Sequence, residues 1–137
     1  MSNTLRRVDY FYAMVPNRAG QGAKIMAALA AAGVNLLAFS GFPSGGKAQL
    51  DLMPEDSKKF RKAAKQMGLK VSKRKTGFLY HGDDRVGAMT GVLDKLAAAK
   101  INLIAVDAVT AGKGRFGAIF WVKPKAVAKA AKALGAK

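Results

Sequence analysis

The stretch NRAGQGAKIMAALAAAGVNLLAF, residues Asn17 to Phe39, returns without a gap as DRVGAMTGVLDKLAAAKINLIAV, residues Asp84 to Val106, at an offset of 67 residues. Arg18, Gly20, Leu29, Ala30, Ala31, Ala32, Asn35, Leu36 and Ala38 meet identical residues, and Ile25/Val92, Met26/Leu93, Val34/Ile101 and Leu37/Ile104 are apolar exchanges. Phe60 to Gly68 repeats at the same offset as Val127 to Gly135. A match held at one offset over both stretches marks a duplicated fold unit. The chain of 137 residues therefore divides into units 1–74 and 75–137. Units of this size bury only about 60% of their unfolded surface, so each is expected to pack on a neighbour.

Within each copy the pattern predicts the same order of elements. Val8 to Val15 is an aromatic and β-branched run ending at Pro16, the mark of a strand. Ile25, Met26, Leu29 and Ala32 recur at helical spacing and Gly33 ends the helix. Asn35 to Phe42 and Ala48 to Met53 read as a hairpin around Pro43 to Gly46. Pro54 then opens a helix with Phe60, Ala63, Ala64 and Met67 on its apolar stripe, and Leu69 to Val71 begins a fourth strand. The second copy retraces this with Gly77 to Gly82, Gly87 to Ala99, Asn102 to Thr110, Phe116 to Val122 and Pro124 to Leu134, and lacks most of its last strand. The expected fold is α+β: two tandem ferredoxin-like βαββαβ units, each an antiparallel sheet with its helices on one face. The missing strand leaves an edge to be covered, which points to a homodimer.

Composition narrows the chemistry. There is no cysteine and a single histidine, which removes disulfides, thiol catalysis and His/Cys metal clusters, so neither cofactor nor metal is expected. No run approaches the roughly 18 apolar residues of a membrane span, and the first residues, MSNTLRR, lack the apolar core of a secretory signal. A soluble cytoplasmic protein is the expectation. Twenty-four Lys and Arg against 8 Asp and Glu give a formal charge of +16, a field that attracts any polyanion without selecting one. Nucleic acid is expected to bind only non-specifically through it. No nucleophile, base and orienting residue form a set; Asp83 and Asp84 read as turn carboxylates and His81 as a strand-end residue, so an enzyme is not expected.

The strand ending in Pro16-Asn17-Arg18-Ala19-Gly20, the helix, and Gly33-Val34-Asn35-Leu36 at the next strand start resemble the ACT domain, the small ligand-sensing module of amino-acid metabolism. The copy reads Asp84-Arg85-Val86-Gly87 and Lys100-Ile101-Asn102-Leu103. The resemblance covers nearly the whole chain as two tandem units. It implies a non-catalytic regulatory protein that binds a small metabolite, an amino acid by the family's habit, between units, and passes the signal to a separate protein partner. It implies ligand contacts from Asn17 and Asn35, with Asp84 and Asn102 at the matching positions of the second unit; with the loop's own residues added, the candidate clusters are Asn17, Arg18, Gly20 and Asn35, and Asp84, Arg85, Gly87 and Asn102. The serine-sensing members of the family carry a histidine two residues before the first asparagine, where this chain has Val15 and Gly82. Serine is accordingly not carried over.

The same loops can be read from their chemistry. A helix start offers unpaired N–H groups and the positive end of its dipole to a carboxylate. Asn17 or Asp84 supplies acceptors for an ammonium group, and Asn35 or Asn102 both donor and acceptor. Asn and Asp are equally suited to capping the helix, and both uses stay open on sequence alone. The alternative class is an RNA-binding protein, because RNA-recognition domains share the βαββαβ order and stack bases on exposed rings. Its candidates are the basic surface and the strand carrying Phe116 and Phe120.

Overall fold

The computed structural model describes residues 3–137; Met1 and Ser2, where the N-terminal reading begins, lie outside them. Contacts divide the chain into a first unit, Asp9–Lys75, and a second made of Thr76–Lys137 with the residues up to Val8. This division differs from the repeat boundary in its first residues, which join the second copy rather than the first.

The first unit takes most of β1 (Thr4–Pro16), then α1 (Gln21–Ala31), β2 (Leu36–Ser44), β3 (Lys47–Pro54) and α2 (Ser57–Gln66). The sheet order is β2-β3-β1, antiparallel throughout. Alternation along β1 sends Phe11, Ala13 and Val15 to the helix side, where they meet Ile25 and Leu29 of α1 and Phe60 and Ala63 of α2. The Phe11 and Phe60 rings lie 5.0 Å apart at the centre. Pro54 does not open the second helix. It ends β3 opposite Leu36, and α2 starts at Ser57 with the Asp56 carboxylate accepting from the Lys59 N–H at 3.0 Å. Leu69 and Val71 pack on the core, and the segment is fastened beside β1 by Ser72 N–H to Tyr12 O at 2.8 Å and Tyr12 N–H to Ser72 Oγ at 3.0 Å.

The second unit follows the same plan with β4 (Lys75–Asp83), α3 (Thr90–Ala98), β5 (Ala105–Gly112), β6 (Arg115–Trp121), a 3-10 turn at Pro124–Ala126 and α4 (Val127–Leu134). Its order is β4-β6-β5, with Phe78, Tyr80, Ala118 and Phe120 packed under Val92 and Leu96 of α3 and Ala130 and Leu134 of α4. The Phe78 and Phe120 rings stack at 5.2 Å. Among the described residues no strand follows α4. The outer edge of β4 is instead taken by the start of β1: Thr4 to Val8 group with this unit, Leu5 packs on its core, and Arg7 Nε donates to the Lys137 carbonyl at 3.4 Å. The unpaired edge from which a dimer was inferred is therefore filled by the chain's own N-terminal residues.

Two outcomes follow from this packing. Leu5→Ala should lower stability by about 1–2 kcal/mol, the worth of a partly buried leucine, and should speed amide exchange in β4 more than in β3; denaturant titration with hydrogen exchange checks both. In the first unit, burial and the nearby Asp51 carboxylate and Tyr12 push the Tyr10 phenol up to about 12 from its ordinary 10.0. The folded state thus favours the neutral phenol. Its contribution to stability is complete below about pH 10, the unfolded value, and is lost as pH rises through about 12. Ultraviolet titration should show one tyrosine ionising late, and Tyr10→Phe should remove it.

Candidate functional site

Each copy turns from its first strand into its first helix through a glycine in the left-handed region, Gly20 at φ 84° and Gly87 at φ 74°. A side chain there would be strained, which accounts for glycine in both copies. Around Gly20 the loop is held by Arg18 N–H to Pro16 O at 3.0 Å, Gln21 N–H to Arg18 O at 3.2 Å and Lys24 N–H to Gly20 O at 3.0 Å. Gly20 is itself the N-cap of α1, and no side chain caps the helix. Asn17 and Arg18 are exposed and make no side-chain hydrogen bond within the described residues. The capping use of Asn17 is thus not taken up.

The second loop differs. Asp84 N–H bonds the Gly114 carbonyl at 2.9 Å, tying the loop to the β5–β6 turn, and Thr90 N–H bonds Gly87 O at 2.9 Å. The turn from Arg85 to Met89 delays the helix, so α3 begins at Thr90 rather than at Gly87. Arg85 makes only a long contact to its neighbour's carbonyl, Nη1 to Val86 O at 3.4 Å. Asp83 pairs with Arg115 at 2.9 Å on the surface, where such a pair contributes about 0–1 kcal/mol. No group of three metal-ligating side chains occurs among the described residues.

Asn35 and Asn102 lie elsewhere. Asn35 precedes β2, whose first residue faces Pro54, whereas Pro16 faces Lys47 at the other end of β3. The intervening strand spans about 23 Å. Asn17, Arg18 and Gly20 therefore do not form one cluster with Asn35 inside the unit. Asn102 is separated from Asp84, Arg85 and Gly87 in the same way by the length of β6, about 20 Å. Asn35 is committed within the fold: its Nδ2 donates to Glu55 Oε2 at 3.1 Å, and Glu55 N–H returns to Asn35 O at 2.9 Å. Val122 stands at Glu55's place in the second copy, and Asn102 makes no such bond.

Phe116 and Phe120 fail as a base-stacking platform. Phe120 is fully buried and Phe116 packs against the same helix-side core, so neither ring is offered on the open face of the sheet. No helix of the described residues is long and apolar enough to cross a membrane.

The sequence reading missed a cavity of about 370 Å³ on the helix side of the second unit. Its lining comes from Asn3 to Leu5, from Tyr80 of β4, from Arg85, Ala88, Gly91, Val92 and Lys95 in and before α3, and from Leu134 and Gly135 at the end of α4. Tyr80 folds along β4 so closely over Gly82 that a Cβ at that position would meet its hydroxyl. The available signal was divergence between copies: Tyr80, Gly91 and Lys95 stand where the first copy has Ala13, Lys24 and Ala28.

No family model and no curated protein matches the chain. Solved structures do. The chain is similar to a Bacteroides thetaiotaomicron protein at 18% identity and a TM-score of 0.81, over 96% of this chain and 88% of that one. It is similar to the ligand-free regulatory subunit of aspartate kinase from Thermus thermophilus at 13% identity and 0.66, over 98% and 95%. The corresponding subunit from Thermus flavus is matched at 13% and 0.58, over 98% and 94%. At these identities the likeness establishes architecture, and the fold is of the ACT type.

Proposed function

We propose that the protein is a non-catalytic, cytoplasmic sensor of a small metabolite, whose strand-to-helix loops take an amino acid and whose output passes to a separate partner. One observation carries this reading. In both copies the loop is built on a left-handed glycine, yet the polar side chains of Asn17, Arg18 and Asp84 make no hydrogen bond or ion pair among the described residues. Groups left free around a helix start suit a carboxylate at the backbone N–H groups and an ammonium at the side-chain oxygens. Asn35 and Asn102 sit at the far end of each sheet, so a ligand held by loop and strand start together draws them from two different units. Such a ligand acts by binding one arrangement better than another. The ACT-type fold and its likeness to regulatory subunits of aspartate kinase support the same class.

A thermal-shift screen against the twenty amino acids tests this reading, since a ligand at about 100 times its dissociation constant adds roughly 2.7 kcal/mol. One amino acid should raise the melting temperature, and Asn17→Ala should remove that response without unfolding the protein. A full response in the variant removes Asn17 from the site.

Self-association fits the sheet edges. β5 is an edge strand exposed along its whole length, with Val106 at 44%, Val109 at 69% and, just before it, Ile104 at 59% exposure. An open apolar edge of this kind invites pairing with a second copy, while the +16 charge opposes it. Light scattering should therefore show a dimer that strengthens as salt rises, and Val109→Lys should return it to monomer.

A further inference from the structure

We infer that the cavity of the second unit is a site for a short aliphatic dicarboxylate. The inference rests on the sensor reading and adds a place and a ligand class to it. Ala88, Gly91, Val92 and Lys95 fall at helical spacing and present one stripe to the cavity, with Arg85 just before it. Gly91, Val92 and Lys95 lie on α3, and Ala88 lies in the turn just before it. The stripe is cationic at both ends and apolar in the middle. Neither cation has a carboxylate partner: among the described residues no ion pair involves Arg85 or Lys95. Tyr80 lines the cavity as well, with its side chain lying along β4 over Gly82.

The opening in the middle of the stripe comes from Gly91, around which a Cβ would meet nothing within 4 Å. At about 370 Å³ the space lies in the range of small-molecule pockets, about 300–1,000 Å³. Charge selects the ligand. Among the described residues no acidic side chain lines the cavity, and the carboxyl end of α4 beside it carries at most about half a charge. Two full cations outweigh it, so a net anion is favoured over a zwitterionic amino acid. The first copy cannot form the site, since Lys24 replaces Gly91, Ala28 replaces Lys95 and Ala13 replaces Tyr80.

Calorimetric titration of the full chain with succinate and glutarate, at physiological salt to suppress non-specific attraction to the basic surface, tests the assignment. Butyrate, glutamate and inorganic phosphate serve as comparators. One dicarboxylate should bind at least tenfold more tightly than any comparator. Gly91→Leu, which replaces a poor helix former by a good one and fills the cavity, should abolish binding while circular dichroism stays unchanged. Lys95→Gln should weaken binding about tenfold, and Asn17→Ala should leave it unaltered. The assignment is overturned if neither dicarboxylate binds, if phosphate or glutamate binds as well, or if a folded Gly91→Leu protein binds fully. Should the amino-acid response persist and depend on Asn17 while the dicarboxylates fail, the sensor reading stands and the cavity assignment alone falls.

Discussion

The pairing of Thr4 to Val8 with the edge of β4 is the constraint on which the second unit depends. A three-stranded sheet under two helices would leave β4's backbone groups unpaired and the Tyr80 side of its core open. Each unpaired buried polar group costs about 1–3 kcal/mol, so several together would exceed what a unit of this size can spare. The fold closes that edge with a segment lying before the first unit in the chain instead of one following α4. The cavity is a consequence: Asn3 to Leu5 arrive beside α3 and α4 from outside the repeat and line it.

Most of the architecture was legible because its signals are local. Ile25 and Leu29 recur at helical spacing and are buried at 3% and 1% exposure; Phe11, Ala13 and Val15 alternate and face the same core. The role of Thr4 to Val8 was not legible, since strand pairing across most of the chain's length leaves no trace in a short window. Pro54 misled for a related reason. A proline is as acceptable at the end of a strand as in a first helical turn, and the side-chain cap from Asp56 decided the matter.

The candidate site was legible in its parts and not in its assembly. Both glycines occupy the left-handed conformation, and Asn17 and Arg18 are exposed beside one of them. What the sequence could not supply was distance. Asn17 and Asn35 both flank α1, but a helix separates its two ends by construction, and the register of β3 fixes them at opposite ends of the sheet. The identical residues of the repeat drew attention to the loops; the cavity lies among residues where the copies diverge.

The same contrast clarifies the charge. Many of the cations have structural or solvated places. Arg61 lies 5.8 Å from the Phe11 ring centre, and the Lys75 ammonium lies 5.9 Å and 5.4 Å from those of Tyr10 and Tyr12. Lys58, Lys59, Arg61, Lys62 and Lys65 sit on the helix α2, whose opposite stripe carries Phe60, Ala63 and Ala64 into the core. A row of solvated lysines keeps a helix soluble and attracts anions broadly, but it offers neither enclosure nor a fixed spacing. Selectivity requires cations held around a concave, partly apolar surface, where a ligand exchanges water for protein on several sides at once. Arg85 and Lys95 both line the cavity of the second unit, and under the dicarboxylate assignment these two of the 24 cations carry more information about function than the net charge does.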